Sequence, residues 1–421
     1  MKLSNLKIND RKTANLLAWL CALTYLGSYL TRVNFGAVTV EIINSMGWEK
    51  SAISAVTTAL FITYGSGQLI SGKLCDKYDP HKLSSAGLAI SIIMNMMIPF
   101  CKSIPFMTAI WAVNGFAQAM MWPPIVKILA THCHTADYQR ASILVSWGST
   151  AGTVAVYLIS PICIEFAGWQ MVFYICAGIT LLILVLWQVC FPQIMKRAEQ
   201  VEAAEQSAGA PAATVQPTTE RMPRLLYFIL IPILLESIVL GALRDSITQW
   251  LPSFVSESFN MGESISVLSG VIIPILTAIV YPISLKLYHK FFTNELSCAA
   301  VLYVFSTISA ITLFFISDKS PIISVALLSL VCATTHGINF LIIVLSPKRF
   351  AKFGNVGLIS GLLNSFVYVG SSVSIYGIAR VAESSGWKVT IAVWAGITLL
   401  GILLCASASR GWNKIFNNKK K

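Results

Sequence analysis

Apolar runs of about 20 residues recur along the whole chain, the length a helix needs to cross a bilayer. Short charged, proline- or glycine-bearing segments separate them. The pattern predicts helices at 13–40, 50–73, 83–101, 105–130, 138–163 and 168–192. A second set falls at 224–256, 264–286, 295–315, 320–345, 353–380 and 387–408. Between the sets, residues 193–223 are rich in Ala, Glu, Gln and Pro and read as a linker with a helical start. The expectation is an all-α membrane protein with twelve transmembrane helices. A six-helix bundle over 1–192 is joined through 193–223 to a second over 224–421. Trp122-Pro123-Pro124 should interrupt the fourth helix, because proline removes a backbone donor and clashes with the preceding turn.

The two halves show a weak internal repeat. NSMGWEKSAIS at 44–54 resembles FNMGESISVLS at 259–269, and Gly168-Trp169 matches Gly386-Trp387. Parallel repeats of six helices are one form that transporter halves take.

Composition agrees with the pattern. Of 421 residues, 56% are hydrophobic and 11% charged, well below the roughly 25% charged residues of an average soluble domain. The ten cysteines are scattered, mostly within predicted helices, without metal-ligand spacing, and read as small core residues. No metal or cofactor is expected. No nucleophile–base pair sits at a useful spacing, so an enzyme is not expected either.

The net charge of +12 reads as topology rather than nucleic-acid binding. With both termini cytoplasmic, 23 of the 30 Lys and Arg residues fall on the cytoplasmic side and five on the other. The remaining two are Arg32 and Arg244, each inside an apolar helix. The polar start MKLSNLKINDRKT lacks a small-residue cleavage site and reads as a cytoplasmic tail, not a signal peptide.

An arginine at membrane depth is costly and is by default a functional candidate. Arg32 has Tyr25 and Tyr29 on roughly its own helix face, and Arg244 stands at a comparable place in the second half. Two guanidinium groups facing one cavity would make an anion clamp, since each offers planar bidentate donors. The alternative for Arg32 is a snorkelling interfacial charge. Tyr25, Tyr29 and Tyr64 are hydroxyl donors in one reading and interface or packing aromatics in the other. Asp245 follows Arg244 directly and either holds it in place or serves as a proton-coupling group. Glu236 and His336 are further coupling candidates. Asn339, Asn364 and Ser365 either line the path or bond between helices.

GKLCDKYDPHK at 72–82 is the most specific short motif. It resembles the loop between the second and third helices of major facilitator transporters. By that resemblance Asp76 pairs across the cytoplasmic seam, with Lys73, Lys77 and Lys82 as gating and orientation residues. YLTRVNFG, YGSGQLISGKLCDKYDPHK, GFAQAMMWPP, LRDSITQWLPSF and SPKRFAKFGNVGLISGLLNS extend the likeness over almost the entire chain. Together they are similar to the organophosphate:phosphate antiporter family within that superfamily, which implies the major facilitator fold. The resemblance places phosphate-binding arginines on Arg32 and Arg244 and cavity residues on Tyr25, Tyr29, Tyr64, Gln68 and Trp122. It implies a monomer of the bacterial inner membrane that moves a sugar phosphate or glycerol phosphate by exchange with inorganic phosphate.

The chain departs from the glycerol-3-phosphate member of that family. Gln68 stands where that transporter has a lysine, Ala151 where it has a histidine, and Asp245 is acidic where the family usually is not. The cavity is therefore less positive. Two other readings stay open: a proton-coupled symporter of an organic carboxylate such as a hexuronate, and a transporter-like sugar-phosphate sensor.

Overall fold

The computed structural model describes residues 6–48, 50–207, 220–260, 272–317 and 319–417. Every regular element in it is helical. The second-half copy of the NSMGWEKSAIS repeat and the predicted start of the eighth helix lie mostly outside the described residues.

The elements are α1 (Arg11–Ala37), α2 (Thr39–Met46), α3 (Lys50–Lys77), α4 (Pro80–Met97), α5 (Ile104–Ala119), α6 (Trp122–His132), α7 (Thr135–Ala167) and α8 (Trp169–Ser207). They are followed by α9 (Arg224–Phe259), α10 (Ile272–Phe291), α11 (Glu295–Ile316), α12 (Pro321–Asn339) and α13 (Val356–Phe416). Among the described residues, nine helices are long and apolar enough to cross a membrane. The 61-residue α13 is two helices joined across Gly386.

Local chemistry sets the boundaries. Asp10 caps α1, accepting from the Lys12 and Thr13 amides at 3.0 and 3.2 Å. Asp79 caps α4, with Pro80 at its first position, where a missing amide costs nothing. Asn294 caps α11 by accepting from the Ser297 amide at 2.6 Å. The expected interruption at Trp122-Pro123-Pro124 is present: α5 ends at Ala119 and α6 starts at Trp122.

Three boundaries differ by more than a few residues from the sequence reading, one being the last helix, which runs to Phe416 rather than 408. The sixth helix does not stop near Pro192 but runs to Ser207. Pro192 forfeits one bond, and the following Lys, Arg, Glu and Ala residues are good helix formers. The tenth helix changes to a π-type segment over Phe340–Leu345 and continues past 345 as a 3-10 helix, Ser346–Phe353.

The chain divides into two compact units. Unit 1 is Met1–Glu220 with Phe350–Ser365, and unit 2 is Arg221–Arg349 with Phe366–Lys421. Residues 350–365 thus belong with the first unit although in sequence they lie between the two segments of the second.

Unit 1 has an aromatic core around Phe35, Trp111, Trp169 and Phe173. The Phe35 and Trp111 rings lie 4.9 Å apart. Unit 2 buries Phe254, Tyr303, Phe340 and Trp394. The repeat between the halves is also conformational. Gly168 has φ 80°, ψ 170° and Gly386 has φ 77°, ψ 173°, and each precedes the tryptophan of a helix-starting Gly-Trp pair. Essentially only glycine occupies that region. The tryptophans are anchored alike: Trp169 Nε1 donates to Ser45 Oγ at 3.0 Å and Trp387 Nε1 to Glu257 Oε2 at 2.8 Å.

Candidate functional site

In unit 1 the site begins on α1. Tyr25, Tyr29 and Arg32 share a face, as their spacing requires. Arg32 Cζ lies 4.0 Å from the Tyr29 ring centroid and 5.0 Å from that of Tyr64 on α3. Tyr25 meets Tyr29 edge-on at 5.2 Å and Trp122 of α6 at 5.2 Å. Five of the seven residues singled out as substrate-binding therefore form one cluster. Aromatic faces of this kind attract a cation by about 0.5–2 kcal/mol.

Gln68 stands one turn after Tyr64 on α3, on the same face. Its Nε2 and Oε1 are fully buried and have no hydrogen-bond partner among the described residues; the same holds for Trp122 Nε1. Leaving such groups unpaired costs about 1–3 kcal/mol each. A polar ligand or water that reached them would recover that cost.

A polar network fixes α1 behind Arg32. Gln118 of α5 accepts from Ser28 Oγ at 2.7 Å and donates to Thr31 Oγ1 at 2.9 Å and Ser91 Oγ at 3.1 Å. Asn95 of α4 and Asn114 of α5 each donate to the Thr31 carbonyl at 2.9 Å. Asn34 donates to Asn95 Oδ1 at 2.7 Å. All these side chains are buried. Sequence reasoning missed the network, although its signal was present: amides at i, i+4 with a second polar residue, Ser91/Asn95 and Asn114/Gln118, in otherwise apolar helices.

Asp76 closes the far end of α3. It accepts from Lys127 Nζ at 2.6 Å and from the backbone amides of Gly357 and Leu358 at 3.0 and 2.7 Å. Those amides open α13, so the carboxylate meets both an ammonium and a helix N-terminus. Glycine permits the approach: a Cβ on Gly72 would lie 2.5 Å from the Gly357 carbonyl oxygen. Lys73, Lys77 and Lys82 are exposed and form no ion pair among the described residues. Lys127, which the charge count had treated only as a topological marker, occupies the position at Asp76.

In unit 2, Arg244 and Asp245 of α9 meet directly. Arg244 Nε donates to Asp245 Oδ1 at 2.7 Å and Nη2 to Oδ2 at 2.9 Å. Nη1 donates to Asn339 Oδ1 at 3.2 Å, and Ser371 Oγ donates to Asp245 Oδ2. The Tyr368 ring lies 6.0 Å from Arg244 Cζ. His336, one turn before Asn339, is close enough to feel both charges. Glu236 is separate. It is buried, accepts from Tyr303 Oη at 3.0 Å through Oε1, and leaves Oε2 without a partner among the described residues. Asn364 and Ser365 are buried on the part of α13 that belongs to unit 1.

A second cluster in unit 2 was also missed. Glu295 accepts from Arg349 Nε at 2.9 Å, Tyr288 Oη at 3.2 Å and Trp412 Nε1 at 2.9 Å. Among the described residues, no group of three or more His, Cys, Asp or Glu is placed to hold a metal ion.

Bilayer-length helices with guanidinium, carboxyl and amide groups turned inward are the architecture of a membrane transport protein. The model described as Major Facilitator Superfamily matches residues 21–375, and the chain belongs to that superfamily.

The glycerol-3-phosphate transporter of Bacillus subtilis (strain 168) is 23% identical over 414 residues, covering 92% of this chain and 90% of its own. The membrane sensor protein UhpC of Escherichia coli (strain K12) is 25% identical over 403 residues, covering 89% and 88%. A probable hexose phosphate transport protein of Chlamydia muridarum is 27% identical over 153 residues, and the chain spans 33% of its length. Among solved structures, the proton:xylose symporter XylE superposes with a TM-score of 0.71 at 12% identity, over 95% of this chain and 96% of that one. The E. coli fucose:proton symporter FucP gives 0.69 at 11% identity, over 94% and 99%. These two likenesses establish the fold alone.

Proposed function

We propose that the chain is a secondary carrier of a small phosphorylated organic anion, of the sugar phosphate or glycerol phosphate class. In this reading it lies in the bacterial inner membrane as a monomer with twelve spans and cytoplasmic termini. It works by alternating access and accepts inorganic phosphate as counter-substrate. The observation that carries the reading is the matched pair of arginines. Arg32 on α1 and Arg244 on α9 each sit in a helix interior against tyrosine rings, with amide side chains close by in sequence or space. Each unit thereby offers one planar donor set suited to a phosphate oxyanion. Gln68 and Trp122 bring unpaired polar atoms that can reach the organic part of the substrate. The names of the relatives from Bacillus and Chlamydia support the substrate class.

A thermal-shift screen of purified protein tests the class. Inorganic phosphate, glycerol 3-phosphate, glucose 6-phosphate and glucuronate are compared. Stabilisation by a phosphate ester, and none by glucuronate, supports the reading; the reverse ranking replaces it with an organic carboxylate carrier.

A sensor is the second reading, favoured by near-full-length similarity to a protein named as one. It predicts saturable binding of glucose 6-phosphate with no flux in proteoliposomes.

A further inference from the structure

The two arginines differ in what already holds them. Arg32 lies against aromatic faces. Arg244 is engaged by a carboxylate of its own helix through Nε and Nη2. Adjacent helix positions project about 100° apart, so this contact is not imposed by the backbone. The side chains turn toward each other, and partners from two other helices hold the arrangement. Asn339 of α12 accepts from Nη1, and Ser371 of α13 donates to Asp245 Oδ2. The Nε/Nη2 edge is the one a phosphate or carboxylate would approach with two parallel bonds. Asp245 occupies it as such an anion would.

Among the described residues, groups that face the pair include His336 and Cys332 of α12, Thr248 of α9 and Tyr368 of α13. None of them is a second carboxylate. Glu236 lies two turns earlier and is bound to Tyr303. Arg244 and Asp245 together therefore add no net charge to unit 2.

In a two-arginine carrier, an empty site leaves guanidinium charges uncompensated inside the membrane. That cost opposes passage between access states and enforces exchange. We propose that Asp245 is a resident counter-anion: it neutralises Arg244 when no substrate is bound, so the unloaded carrier can return. Exchange is then permitted but not obligatory, and the organic anion moves in net fashion without a counter-substrate. The incoming oxyanion displaces Asp245 from Nε and Nη2, and Ser371 keeps a bond to the released carboxylate. This rests on the reading that Arg244 contacts the carried anion.

The test uses the full-length protein in proteoliposomes loaded with radiolabelled glucose 6-phosphate, with the membrane potential clamped. Two rates are compared: exchange against external glucose 6-phosphate, and downhill efflux into anion-free buffer. Wild type is expected to show efflux within about tenfold of exchange, since offsetting one of the two guanidinium charges lowers the barrier to return. D245N should lower the efflux-to-exchange ratio by about tenfold or more. D245E, which keeps the charge, should restore it, and this covers a D245N protein that fails to fold. Wild-type efflux a hundredfold or more below exchange overturns the proposal. So does a D245N protein in which both rates fall in equal proportion, because that marks Asp245 as a mere anchor. Absence of wild-type exchange fails at an earlier point: it removes the organophosphate reading itself.

Discussion

Asp245 lies bidentate on Arg244, 2.7 Å from Nε and 2.9 Å from Nη2. Its counterpart by position, Arg32, lies instead over the Tyr29 and Tyr64 rings. The two halves thus present guanidinium groups on comparable helices with different contacts. An anion meeting Arg32 approaches it beside two tyrosine rings, whereas an anion meeting Arg244 must compete with a carboxylate.

Gln118 makes three hydrogen bonds behind Arg32, two to α1 at Ser28 and Thr31 and one to Ser91 of α4. Q118L should take the acceptor from the Ser28 hydroxyl and the donor from the Thr31 and Ser91 oxygens, and cost about 1–3 kcal/mol for each that finds no other partner. A lowered thermal unfolding midpoint, together with weaker anion binding, is the expected result. An unchanged midpoint would show that the network contributes nothing.

The Asp76 contact should hold α3 against the start of α13. D76N removes the ionic partner of Lys127 and weakens two backbone hydrogen bonds, each charge-assisted bond being worth about 1.5–3 kcal/mol. Cys75 reports the change, since it is buried beside Gly357. In a background retaining only Cys75, D76N is expected to raise maleimide labelling about tenfold, the equivalent of about 1.4 kcal/mol.

The two Gly-to-Ala changes in α13 should have opposite signs. No atom lies within 4 Å of a Cβ built on Gly386 or on Gly396. Gly386 has φ 77°, so G386A pays backbone strain of about 1–3 kcal/mol. Gly396 is in ordinary helix, so G396A should stabilise by about 0.5–1 kcal/mol. Thermal melts of the two variants in the same detergent decide it.

Residues 6–8 are strapped to the C-terminal end of α6. His132 Nδ1 donates to the Leu6 carbonyl at 2.9 Å, and the Ile8 amide donates to the His132 carbonyl at 2.8 Å. Burial, with Lys7 nearby, lowers the His132 pKa below its usual 6.5, against the opposing pull of the Leu6 carbonyl and Asp79. A depressed pKa contributes stability above the unfolded value and loses it as pH falls. Hydrogen exchange at Ile8 should therefore rise between pH 7.5 and about 5, beyond the intrinsic change. H132Q should abolish that extra pH dependence.

The sequence made the apolar helices and the two intrahelical arginines legible because both announce themselves by cost: bilayer-length runs leave few other folds, and a charge within them is conspicuous. Asp76 was legible through its motif. Its partner Lys127 was not, because the pairing spans 51 residues and a lone lysine beside a helix end looks like topology. Asn339 and Ser371 lie 95 and 126 residues from the groups they contact. Single-sequence periodicity cannot pair positions so far apart. The Glu295–Arg349–Trp412 cluster escaped for the same reason, since its members sit at helix ends where charges are ordinary.

The proposed function requires the guanidinium group of each arginine, Arg32 and Arg244. Counterflow of radiolabelled glucose 6-phosphate in proteoliposomes, for wild type, R32K and R244K, tests it most directly. Lysine keeps the charge but loses the planar bidentate donors, so each variant should lose about tenfold to a hundredfold in rate at equal reconstitution. Wild-type counterflow with both lysine variants at the wild-type rate would contradict the account.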